Sequence, residues 1–144
     1  MKYTQLIFGG SAEVTKKSRH RATINVTPAE RVIVVDGNNV SSLSPKDTKN
    51  ISDKLTKGSN CLMLLPDGKQ KVAKLNKVNR ISTHGVPALK FELSTDDYDT
   101  TGQFAKSAAN LEDFPEGEQF EVRFIFGWNP PILRCDRNGN CLFD

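Results

Sequence analysis

Few residues in this chain carry reactive chemistry. There are two histidines, His20 and His84, and three cysteines, Cys61, Cys135 and Cys141. Two of the cysteines bracket the last turn-like stretch, "RCDRNGNCLFD". A pair of thiols around Asn-Gly can serve as nucleophile and partner, as metal ligands, as a disulfide, or as the flanks of a hairpin. A thiol nucleophile needs a base to take its proton, and both histidines lie far upstream. Zinc knuckles space their cysteines by two to four residues and need a second ligand pair, and neither condition holds. Asp136, Asn138 and Asn140 imitate the first ligands of a calcium loop, but the glycine is misplaced and the closing glutamate is missing.

The six residues "NGNCLF" resemble the nucleophile segment of the ovarian tumour family of deubiquitinating cysteine proteases, which reads Asp-Gly-Asn-Cys-Leu-Phe/Tyr. Gly139, Asn140, Cys141, Leu142 and Phe143 match, and Asn138 stands in place of the acid. The resemblance implies a Cys141 nucleophile at the start of a helix and a histidine later in the chain. Here the sequence stops three residues beyond Cys141, so the protease reading is rejected. A hairpin accounts for the residues with less: Arg137, Asn138 and Gly139 form the loop, Cys135 falls opposite Cys141, and the two sulfurs could bond as a disulfide. The expectation is a hairpin arm over 132–144 whose apolar end, Leu142 and Phe143, packs on another subunit.

The other chemistry on offer is charge. Residues 1–90 hold 16 Lys/Arg against 6 Asp/Glu, and residues 91–144 hold 4 against 11, so a net charge of only +3 conceals a basic part and an acidic part. Such division points to polyanion binding or to pairing of opposite surfaces. "RHRATINV" alternates strictly, placing His20, Ala22, Ile24 and Val26 on one strand face and Arg19, Arg21, Thr23 and Asn25 on the other, with Lys16 and Lys17 just before. "CLMLLPDGKQKVAKL" reads as a hairpin with a Pro-Asp-Gly turn, and its return segment exposes lysines at either spacing, Lys69 and Lys71 on one face if extended, Lys71, Lys74 and Lys77 on one face if helical. Lys16, Lys17, Arg19, Arg21, Lys69, Lys71 and Lys74 are therefore the candidate nucleic-acid-binding residues. They are expected on one surface, away from the acidic loops at Asp96–Asp99 and Glu112–Glu118.

The elements that must position them are mostly strands. "RVIVV" is a β-branched run expected to be buried. "SPKDTKNISDKLTKG" carries helix punctuation with Ser44 as N-cap and Pro45 at the first position, and its thin stripe, Ile51 and Leu55, leaves Lys46, Lys49, Lys54 and Lys57 outside. "GVPALKFELS" turns Leu89, Phe91 and Leu93 inward and Lys90 and Glu92 outward, while "TTGQFAKSAANL" is a second, weaker helix. "FEVRFIF" puts Phe120, Val122, Phe124 and Phe126 on one face. The fold class is α+β, mainly antiparallel β, a sandwich or barrel-like sheet with one or two short surface helices, in a single domain over 1–144.

The apolar run Leu6–Phe8 is too short for a signal peptide core or a membrane span, so no membrane partner is expected. An odd, low cysteine count fits a reducing compartment, and the expected location is cytoplasm or virion. No constellation of acid, base and nucleophile emerges, and no cofactor or metal is implied. The function read from the sequence is a non-enzymatic, self-assembling structural protein of viral or phage coat type. Its partners are copies of itself, with RNA or single-stranded DNA as a further partner. A stand-alone single-strand-binding protein is the alternative, and a small hydrolase the least supported one.

Overall fold

A computed structural model describes residues 4–96, 103–115 and 117–127. They form eight antiparallel strands: β1 Thr4–Lys17, β2 Arg21–Pro28, β3 Val32–Asp36, β4 Asn39–Leu43, β5 Asn60–Leu64, β6 Gln70–Thr83, β7 Val86–Ser94 and β8 Gln119–Phe126. Two short helices, α1 Thr48–Lys54 and α2 Gln103–Ala108, and one 3-10 turn, Leu111–Asp113, complete the described chain. The class expected from the sequence is the one observed.

Six strands close on themselves in the order β1, β2, β7, β6, β5, β8 and back to β1. Closure is possible because β1 is long enough to serve several neighbours. One edge meets β8 along Leu6–Glu13, and the other meets β3 along Thr4–Ile7 and then β2 along Gly10–Lys17. β5, β6 and β7 follow one another as hairpins and β8 returns beside β5, which is a Greek key. The β3–β4 hairpin extends the sheet beyond the barrel.

The barrel interior follows from period-two alternation. Leu6, Phe8, Ala12 and Val14 from β1, Ile24 and Val26 from β2, Leu89, Phe91 and Leu93 from β7, and Val122, Phe124 and Phe126 from β8 all turn inward and are buried. Four rings form its centre, with Phe8 and Phe124 at 5.3 Å and Phe91 and Phe126 at 5.1 Å between centroids. Each buried phenylalanine contributes roughly 1.5–3 kcal/mol. Gly10 is inward too, and a Cβ there would lie 2.6 Å from the carbonyl oxygen of Thr27, so only glycine lets β1 and β2 approach as they do.

Both ends are plugged. Ile51 and Leu55, on and just after α1, enter the core ahead of β5. At the opposite end, where β1 and β5 finish and β2, β6 and β8 begin, Leu111 and Phe114 close the barrel from the β7–β8 connection. Leu111 N–H donates to the Arg19 carbonyl at 3.0 Å, fastening that connection to the β1–β2 turn.

Three local expectations are corrected. The helix begins at Thr48, with the Asp47 carboxylate accepting Asn50 N–H as the cap, and Asp47 N–H donates to the Ser44 carbonyl in a preceding turn. Pro45 belongs to that turn rather than to the helix, since its fixed φ suits either place. The "RVIVV" strand is only half buried: Val32 and Val34 face the core, and Ile33 is 37% exposed because β3 lies outside the closed ring. His20, expected on the inner face of a strand, is exposed in the β1–β2 turn because β2 begins only at Arg21; His84 at φ 54° and Gly85 at φ 77° are the two central residues of the tight turn joining β6 to β7.

Candidate nucleic-acid interface

The outward face of β2, β7 and β6 is where the register gathers positive charge. Arg21 and Lys74 flank Ser94 in one row; Thr23, Glu92 and Lys77 make the next; Asn25, Lys90 and Asn79 make the third. Between these rows lie the inward residues of the same strands, Ala22, Leu93 and Leu75, then Ile24, Phe91 and Val78. Successive outward rows are about 7 Å apart along a strand and neighbouring strands about 4.8 Å apart. Four cations thus share a small, continuous face with Glu92, and Asp96 stands at its rim.

Arg21 reaches Asp96 at 3.2 Å, with both side chains largely in solvent. Such a pair is worth about 0–1 kcal/mol and yields readily to another anion. Lys77 is exposed and Lys90 half-buried. The polar residues between them, Thr23, Asn25 and Asn79, supply hydroxyl and amide groups without adding charge. No aromatic side chain stands in these three rows, so the face can neutralise phosphates but has no ring on which a base could stack.

The residues singled out by sequence divide sharply. Arg21 and Lys74 lie on this face. Lys16 and Arg19 are exposed beside it, near the β1–β2 turn. Lys16, Lys17, Arg21 and Thr23 border a shallow hollow of about 270 Å³ there. Lys69 sits in the β5–β6 turn, 3.8 Å from Asp67.

Lys17 and Lys71 are otherwise engaged. The strand irregularity at Thr15 shifts the register so that Lys17 stands opposite Ala22, on the inner side, and its ammonium group donates to the carbonyls of Glu112 and Phe114, both at 2.8 Å. Lys71 pairs with Met63 across the hairpin and so points inward at the same barrel end, 0% exposed, where Nζ donates to the Ser107 carbonyl at 2.8 Å and to Asp113 Oδ2 at 3.0 Å. The expectation that Lys71 is exposed is therefore corrected: the residue keeps the inward parity of Ala73 and Leu75, and the acidic connection folds over it. The expected separation from the acidic loops is corrected likewise, because Arg21, Lys17 and Lys71 are the very residues that contact Asp96 and the segment 107–114.

The Lys71 ammonium group holds the Asp113 carboxyl below its usual range, chiefly by the hydrogen bond it donates. Burial pushes the Cys61 thiol well above its usual value, so it is a core side chain and not a nucleophile. Among the described residues no three His, Cys, Asp or Glu side chains gather where they could hold a metal ion. No helix among them is long and apolar enough to cross a membrane. Cys135, Cys141, Leu142 and Phe143, with the expected hairpin, lie outside the described residues.

Lys77 and Lys90 were passed over in choosing site residues from sequence. Lys90 carried a usable signal, outward alternation in "GVPALKFELS"; Lys77 stands at helical spacing from Lys74, but on a strand it reaches the outer face only through the extra residue Asn76, which shifts the β6–β7 register between Leu75 and Lys77. The chain matches no protein-family model, no curated protein and no solved structure.

Proposed function

We propose that the protein is a non-enzymatic structural protein that assembles with copies of itself and holds single-stranded nucleic acid against the β2–β7–β6 face, as a coat component of viral or phage type does. The observation that carries this reading is the shared outward face of Arg21, Lys74, Lys77 and Lys90 on a rigid closed barrel. Lysine and arginine fixed at strand spacing neutralise phosphates and release their counterions, and the lack of rings in the three rows makes the binding electrostatic and indifferent to sequence. In this reading the protein works in the cytoplasm or in the virion and needs no cofactor.

A stand-alone single-strand-binding protein would use the same face without assembling. Light scattering at two salt concentrations, with and without an oligonucleotide, separates the two. A mass above that of one chain without oligonucleotide, and oligonucleotide uptake that falls as salt rises, support the proposal. A monomer that binds leaves the stand-alone reading, and absence of uptake at low salt removes the nucleic-acid role.

A further inference from the structure

Among the described residues β4 alone pairs with a single strand, β3. Stretches of other strands run past one of their pairings, among them β1 beyond Glu13, which carries Lys16 and Lys17, β8 before Arg123, which carries Glu121, and β6 before Lys74, which the 107–113 segment covers. β6 also loses β5 beyond Lys74, which pairs with Asn60, and β7 before Leu89 extends past the end of its pairing with β2. An unpaired edge invites another strand, and proteins ordinarily guard it with charge or proline. The stretch of β6 beyond Lys74 carries Lys77 and Arg80, and that of β7 before Leu89 carries Pro87. β4 reads Asn-Val-Ser-Ser-Leu, with neither guard, in a chain of which 26% is charged. Its Val40 is 70% exposed, and on the same outward face Ile33 of β3 is 37% exposed.

We propose that β4 is the edge through which two copies of this chain associate, each adding its β4 antiparallel to the other so that the two sheets continue across a two-fold axis near Ser41. This names the contact within the self-assembly reading of the proposed function and rests on that reading. The occupant follows from charge. Strands related by a two-fold axis meet their own sequence reversed, so a charge near the axis faces a like charge, and opposed like charges destabilise a strand pair. A strand without charges over its whole length escapes that conflict, whereas a foreign strand would gain from charges that chose it. With Ser41 on the axis, Val40 lies opposite the partner's Ser42 and Asn39 opposite the partner's Leu43. The ladder gains main-chain hydrogen bonds, and the exposed Val40 side chains on either side of the axis are brought close.

The test uses the full chain and two double variants at exposed positions, Val40→Lys with Ser41→Lys, and Val40→Glu with Ser41→Glu. Mass is measured by light scattering at low salt over micromolar to high micromolar concentration, with circular dichroism as the check on folding. The wild type is expected at twice the chain mass, each variant alone at the chain mass with an unchanged spectrum, and an equimolar mixture of the two variants back at twice the chain mass. A dimeric wild type whose variants also remain dimeric overturns this interface while leaving self-assembly standing, and so does a mixture that stays monomeric. Variants that lose the β-sheet spectrum place β4 in the subunit's own stability and overturn it too. A wild type that is monomeric throughout overturns the self-assembly reading itself, and this interface with it.

Discussion

Lys71 Nζ lies 3.0 Å from Asp113 Oδ2, and the two ends of that contact live in different media: the lysine side chain is 1% exposed and the aspartate 42%. Removing either partner is therefore not equivalent. Asp113→Ala strips a buried ammonium of its counter-charge and leaves it, among the described residues, the Ser107 carbonyl alone. Lys71→Met fills the space with apolar atoms and releases a carboxylate that water already reaches. We expect Asp113→Ala to cost about 2–3 kcal/mol and Lys71→Met about 1 kcal/mol or less, read from urea unfolding midpoints at neutral pH. Equal losses would show that the contact does not carry this asymmetry.

The same contact sets a pH dependence. Asp113 has a folded pKa below its ordinary value of 3.8, so the folded protein binds its proton less readily than the unfolded chain does. Its contribution is fully present above the ordinary value and is lost as pH falls through the lowered one. The stability difference between wild type and Asp113→Asn should accordingly be constant from pH 7 to about 5 and shrink toward zero below pH 4. A difference that stays constant into that acid range would contradict the assignment.

Gly10 tests barrel closure. A Cβ there would lie 2.6 Å from the Thr27 carbonyl oxygen and 3.2 Å from the Pro28 Cα, both main chain, so neither can rotate aside. Gly10→Ala should cost about 1–3 kcal/mol. Gly9→Ala should cost less, because its nearest neighbour is the end of the flexible Glu30 side chain at 3.0 Å. Thermal midpoints of the two variants give the comparison.

The Cys61 thiol, 0% exposed, should resist a thiol reagent in the folded protein and react fully in denaturant. A chain carrying Cys135→Ser and Cys141→Ser isolates that signal. Fast labelling in the absence of denaturant would mean that the β5–β8 pairing opens far more often than a closed barrel allows.

These glycines and lysines also show where the sequence was legible. Alternation in "ATINV", "LKFELS" and "FEVRFIF" reported the inner faces of β2, β7 and β8 correctly, because each strand lies in the closed ring with one side in the core. The Pro-Asp-Gly turn was legible for the same local reason, and Gly68 takes the positive φ it requires. β1 and β4 were not read as strands. Gly9-Gly10 interrupts β1's pattern with residues strands usually avoid, and their reason lies in the distant Thr27 and Pro28. β4 is too polar and exposed to alternate. The candidate site was legible at Arg21 and Lys74, and at Lys90 through its outward alternation. That Lys17 and Lys71 serve the barrel end depends on a register shift at Thr15 and on where residues 107–114 fold, neither of which is a local property.

The central claim is that phosphates are neutralised on the β2–β7–β6 face, and the salt dependence of oligonucleotide binding measures it most directly. Affinity of the wild type for a labelled single strand should fall on a log-log plot with a slope of about −0.7 for each phosphate engaged. Replacing Arg21, Lys74, Lys77 and Lys90 together with alanine should weaken binding alike for unrelated sequences and flatten that slope, while Lys49→Ala with Lys54→Ala, on the exposed side of α1, should leave it nearly unchanged. A quadruple variant that keeps the wild-type slope, or a wild type that binds no oligonucleotide at low salt, would contradict the account.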